Sequence, residues 1–267
     1  MSVASRAVDH YQPACDALER STPLLLEALR RAPAQVRPPG MRWSNAEIAA
    51  HMMSSVTEAE KSVRGVPSVY DAAGPTAALD EQMVAQVTER EPRVLADRIE
   101  ERTAALLDAA RGRSGGDPVA TPRATVGVIV GLLAVDHHLH GGQFAETAGS
   151  SWDGRVADLH DPLVLVLPYG FDPDRARGFR GSFTLRLRGV EPVRYAGDGG
   201  RLTLDGTGRT DCTISTDPQS FLRLSIGAGS RLRLVLRGRL RVTGRRPWVA
   251  GATPRLFPPV GHGGVAR

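Results

Sequence analysis

Cysteine is nearly absent, with Cys15 and Cys212 the only two in 267 residues, far apart along the chain. That excludes a disulfide framework and fits a reducing compartment. Each reads as an ordinary buried thiol, because a nucleophile needs a base and an orienting group nearby and the sequence names neither. Long apolar runs are absent as well. No stretch of about 18 apolar residues occurs, and no apolar segment follows a basic region near the N-terminus, so a soluble, cytoplasmic chain with no membrane partner is expected. Aromatic residues make up only 5% of the chain. The net charge is +5 and the pI about 9.8, but the arginines that carry almost all of the basic charge are spread through both halves. Without a basic stripe interleaved with aromatics, no nucleic-acid partner is expected. An acidic small substrate stays open, since arginine is suited to holding carboxylates and phosphates.

The 41% hydrophobic content over 267 residues is enough for a sizeable core and for two domains. Residues 5–31 read as a first helix with Leu18, Leu24, Leu25, Leu26 and Leu29 on its apolar face, kinked or broken at Pro13 and Pro23. A proline-rich loop over 32–40 leads to Trp43. Ser44 and Glu47 form an SxxE capping box, so a second helix starts at Ser44 and runs to about Gly65. Residues 66–78, with Pro67 and Gly74-Pro75, read as a loop at a site's rim. From Asp80 to Gly112 the pattern is helical with a step at Glu91-Pro92, and after a Gly-rich break a last helix spans about 124–148. Four long helices argue a four-helix bundle over 1–150. Beyond Gly149 the period changes to two. Phe183, Leu185 and Leu187 alternate with polar residues, as do Leu202 with Leu204, Cys212 with Ile214, and Leu232, Leu234 and Leu236 with Arg231 and Arg233. Asp217-Pro218 marks a helix start. The fold class expected is α+β, a helical bundle followed over 151–267 by a small domain with an antiparallel sheet.

Ionisable residues cluster where the last helix leaves its apolar run, in Val135-Asp136-His137-His138-Leu139-His140. Asp136 and His140 stand four residues apart, a rise of about 6 Å on one helix face, so both can donate to one ion. A third ligand must come from elsewhere, and His51 is the candidate. It lies about two turns into the capped second helix, at the border of the stripe made by Ile48, Met52 and Val56. A single inward histidine is ordinarily a hydrogen-bonded core residue. A carboxylate and a second imidazole at helical spacing in the same bundle turn the reading towards a metal. His137 and His138 read as outer-layer or solvent-facing residues that could also take a ligand's place. Gln143 either orients a ligand or caps the helix, and Trp43 packs at the helix entry.

A tryptophan-led helix start carrying an inward His, an acidic residue four before a second His, and the ending His140-Gly141-Gly142-Gln143 together resemble the DinB-like metal-binding bundles. Within them the chain is similar to the mycothiol-dependent maleylpyruvate isomerase family over residues 1–150 and more loosely beyond. The segment Gly238 to Gly244, with a helix after it to Phe257, resembles the sterol-carrier-protein-like domains that follow such bundles. The resemblance implies His51, Asp136 and His140 as ligands of a divalent metal, zinc being expected, and mycothiol as the thiol cosubstrate. Where that family's pattern has Glu, this chain has Asp136, whose shorter carboxylate shifts the ion or leaves a wider open position. The expected function is therefore a metal-dependent, mycothiol-using S-transferase acting on a small-molecule acceptor. The alternatives are maleylpyruvate cis/trans isomerisation and, in another class, a non-catalytic protein that binds an apolar small molecule or lipid. Arg239 and Arg241 are the cations that would act in catalysis on an acidic substrate, if the second domain faces the site.

Overall fold

The computed structural model describes residues 3–69, 76–204 and 208–257. Gly74-Pro75, part of the expected rim loop, lies outside them. The helical part is built from α1 (Val3–Arg31), α2 (Asn45–Val63), α3 (Thr76–Gln86), α4 (Pro92–Ala110) and α5 (Val126–Thr147). Helix α1 runs unbroken through both Pro13 and Pro23. Each proline removes one intrahelical bond, but the loss is offset along a helix whose Ala14, Leu18, Leu25, Leu26 and Leu29 are completely or almost completely buried. The capping box at Ser44 and Glu47 is formed, with the Ser44 N–H donating to Glu47 Oε2 at 2.7 Å. The helical stretch expected from Asp80 to Gly112 is two helices. α3 begins upstream at Thr76, and Glu91 caps α4 with Pro92 in its first turn, where the missing N–H costs nothing.

A helix that periodicity did not reveal follows, α6 (His160–Tyr169), entered through a 3-10 turn at Val156–Leu159. Its sequence is apolar on every side, so it shows no stripe. Three consecutive side chains go to three different cores: Leu163 joins Leu25, Ile48 and Leu95; Val164 joins Phe183 and Tyr195 of the sheet region; Leu165 joins Leu18, Leu106 and Val130. The Tyr195 hydroxyl also donates to the Leu163 carbonyl oxygen at 3.2 Å.

The sheet contains β1 (Arg180–Leu187), β2 (Val193–Asp198), β3 (Arg201–Leu204), β4 (Cys212–Thr216) and β5 (Arg241–Gly244) in the order β3-β2-β1-β4-β5. β2 and β3 are joined by Gly199-Gly200, both at positive φ, as a two-residue hairpin requires. The class is α+β. Three of the four strand pairings are antiparallel, and β1 with β4 is parallel, Leu185 opposite Ile214. Asp217 caps α7 (Pro218–Ser225), accepting from the Ser220 N–H at 2.9 Å, and α9 (Val249–Leu256) closes the described chain. The strand expected at Leu232, Leu234 and Leu236 is instead a short helix, α8 (Arg231–Leu236), capped by Ser230. Leu232 is 69% and Leu236 78% exposed, so these leucines do not cover the sheet. Among the described residues no helix is long and apolar enough to cross a membrane.

Candidate metal centre

The folding of α2 against α5 brings the three expected ligands together. His51, Asp136 and His140 each present one ligand atom, and these atoms all lie within 4.8 Å of one another. The approach is set by local structure. Asn45, at the start of α2, donates through Nδ2 to Thr147 Oγ1 at 2.9 Å near the end of α5, which places the two helices side by side in opposite directions. His51 is 1% and His140 0% exposed, whereas Asp136 is half-buried. The two imidazole rings stand edge to face with centroids 5.7 Å apart.

Neighbouring groups orient both histidines. Gln143 Oε1, an acceptor, sits 2.8 Å from His140 Nδ1, so that nitrogen carries the proton and Nε2 keeps the lone pair a metal needs. His51 turns Nδ1 towards Ser55 Oγ at 3.5 Å and Asp80 Oδ1 at 3.8 Å, with the Trp43 ring packed 5.1 Å from its own. Trp43 packs as expected, and of the two roles open to Gln143 the geometry selects the orienting one. Asp80 was read only as the start of a helix. It is fully buried inside α3, and no sequence signal marks this, since Asp80 is followed directly by Glu81 and Gln82.

His137 and His138 are buried at 2% and 1%, not solvent-facing, and neither belongs to the cluster. One and two residues turn a helix by about 100° and 200°, which carries both off the face of Asp136 and His140. His137 Nδ1 lies 3.0 Å from Ser21 Oγ, and burial, with the charges of His138 and His140 adding, pushes its pKa down to about 3. His138 accepts from the Trp152 indole N–H at 3.2 Å, and burial lowers it to about 4. Both stay neutral. The two cysteines are free and buried, and burial raises both thiols, Cys15 to about 11. They are not nucleophiles at neutral pH.

Arg239 and Arg241 are not brought into the cluster. Arg239 pairs with Asp217 at 2.9 Å on the cap of α7, and Arg241 is exposed on β5 opposite Ser215. Arg239 lines a pocket of about 490 Å³ with Arg223, Arg233 and Arg237, bordered by Gly40, Glu146 and Gln219. Gln219 donates to the His138 carbonyl oxygen at 2.8 Å and packs over Gly142. That contact is on the far side of α5 from Asp136 and His140, again because two residues turn the helix by about 200°.

The donor set fits a transition metal. Metal bonds of about 2.0–2.2 Å put tetrahedral ligand atoms about 3.4 Å apart, which is compatible with three ligand atoms that lie within 4.8 Å of one another. Two oriented imidazoles and one carboxylate leave a position open, the arrangement of a catalytic rather than a closed structural site. No family model matches the chain, and no curated protein does. Among solved structures, it is similar to a mycothiol-dependent maleylpyruvate isomerase at 11% identity and TM-score 0.49, over 83% of this chain and 90% of that one. A mutant of a mycothiol-dependent maleylpyruvate isomerase is similar at 11% identity and TM-score 0.48, over 87% and 92%. Sterol carrier protein 2 from Yarrowia lipolytica is similar at 18% identity and TM-score 0.28, over 40% of this chain and 95% of that one.

Proposed function

We propose that the chain is a metal-dependent enzyme that transfers a small thiol, mycothiol, to or from a small-molecule acceptor. The observation that carries this reading is the convergence of His51, Asp136 and His140 in a cluster of two buried imidazoles and one half-buried carboxylate. Held by these residues, a divalent ion, zinc in the first place, depresses the pKa of a thiol or water at its open position and so supplies a nucleophile at neutral pH. The protein's part is to hold the donors ready. Gln143 fixes the His140 tautomer, Asp136 supplies one negative charge to offset the ion's, and Trp43 with the buried flank of His51 keeps water from the inner side. The choice of mycothiol follows the sequence resemblance.

The test has two readings. Untagged protein should carry close to one equivalent of zinc or another divalent ion in this cluster, lost in both His51→Ala and His140→Ala. The loaded protein should conjugate mycothiol to a monohalobimane at a rate that falls by orders of magnitude in either variant. Protein that takes up no metal in the cluster after reconstitution would leave the lipid-binding alternative in front.

The pocket lined by Arg223, Arg233, Arg237 and Arg239 lies across α5 from the cluster and does not select the acceptor, so maleylpyruvate isomerisation is kept as the second reading on the sequence resemblance alone. Rapid conversion of maleylpyruvate to fumarylpyruvate with mycothiol would replace S-transfer by isomerisation. Arg239, which lines that pocket, and Arg241, exposed on β5, both lie outside the cluster, so they are assigned to drawing in an acidic acceptor by long-range attraction rather than to the reacting atoms. Arg239→Ala and Arg241→Ala should lower kcat/KM severalfold at low ionic strength, and the deficit should shrink in high salt.

A further inference from the structure

A second group with the same donor chemistry meets where α1 crosses the start of α6, and the proposed reaction makes no use of it. His10, His160 and Asp161, all half-buried, place one ligand atom each within 4.8 Å of one another. His10 Nδ1 lies 2.7 Å from Asp161 Oδ1. His160 Nδ1 lies 3.1 Å from the Glu191 carbonyl oxygen, which can only accept, so Nδ1 carries the proton and Nε2 is left as the donor atom. This histidine-to-carbonyl contact is the one that orients metal-bound imidazoles. The two rings meet edge to face with centroids 5.7 Å apart, so both imidazoles border the same space. Two imidazoles and a carboxylate suit zinc, cobalt or nickel, whereas calcium and magnesium call for oxygen ligands.

We infer that His10, His160 and Asp161 form a second divalent transition-metal site, separate from the one in the bundle. The ion takes the place of the proton shared between His10 and Asp161, and water completes its coordination. Its effect is mechanical. It ties α1 to α6 and, through the Glu191 carbonyl, to the turn between β1 and β2, so its occupancy stabilises the fold without touching the reaction.

The experiment uses the full chain, stripped with a chelator, reloaded with zinc and desalted, with zinc equivalents and thermal midpoint read together. The parent should hold two equivalents, His10→Ala and His160→Ala one each, and the double variant His51→Ala with His140→Ala also one. Zinc should raise the midpoint of that double variant, and adding His10→Ala should abolish the rise. His10→Gln keeps a donor for Asp161 but lacks the imidazole, and should lose the equivalent while its metal-free midpoint stays at the parent's value. Zinc lost from the parent with His10→Ala but not with His51→Ala would uphold this site and sink the bundle one. A double variant that holds no zinc, or releases it all on desalting with no change in midpoint, means an adventitious ion only and overturns the inference.

Discussion

Gln143 and Asp80 face the rings of the candidate metal ligands His140 and His51 without belonging to the cluster. Replacing Gln143 by Leu removes the acceptor from His140 Nδ1 and frees the ring to turn or change tautomer. Zinc affinity should fall by about 10–100-fold, read by competition with a chromophoric chelator. Asp80→Asn, which removes the buried charge facing His51, should cost a similar factor. If both variants bind zinc as the parent does, the orientation account fails. The convergence of His51, Asp136 and His140 was legible in the sequence because its order is local: a capping box fixes the phase of His51, and a four-residue spacing puts Asp136 and His140 on one face. Asp80 was not legible, since its role depends on α3 folding back over α2, a contact no helical period encodes.

At the level of the element, the two misreadings have opposite causes. In α8 the alternation Arg231-Leu232-Arg233-Leu234 imitates a strand, yet Ser230 caps it and Leu232, Val235 and Leu236 fall at helical spacing on an exposed surface. Replacing Leu232 or Leu236 by Ser should therefore change stability by less than about 0.5 kcal/mol, where a sheet-covering leucine would cost several times more. In α6 an all-round apolar sequence gives no stripe to detect. Helix α7 was legible from Asp217-Pro218, and its cap predicts a pH effect. Burial alone would raise the Asp217 carboxyl, but the Ser220 N–H and Arg239 outweigh it and hold it below the ordinary value. The folded-state pKa being the lower one, the unfolded chain binds the extra proton. The stabilisation is full above about pH 4 and is lost as pH falls through the folded value. Asp217→Ala should cost about 1 kcal/mol at pH 7, and less in more acidic solution. On α5, a methyl group at Gly141 would meet the Trp152 ring at 2.2 Å, so Gly141→Ala should destabilise by about 1–3 kcal/mol and alter tryptophan fluorescence.

For the whole molecule, α6 argues against two independently folding halves. Leu163, Val164 and Leu165 are 2%, 4% and 7% exposed in three separate cores. Leu163→Ala should cost about 2–5 kcal/mol and shift one common calorimetric transition. Separate shifts of a helical and a sheet transition would show that the halves unfold apart. The change of period expected after Gly149 gave no sign of α6, which lies beyond it and packs into all three cores before the first strand begins at Arg180.

The position of α6 in the chain also sets an order of construction during synthesis. While only α1 to α5 have emerged, the grooves awaiting Leu163 and Leu165 stay wet and the bundle is incomplete. The sheet, whose Tyr195 hydroxyl rests on the Leu163 carbonyl oxygen, has no platform until α6 is seated. A nascent chain halted near Ser150 should therefore be the form most in need of a chaperone, and release should follow once residue 169 is free to dock.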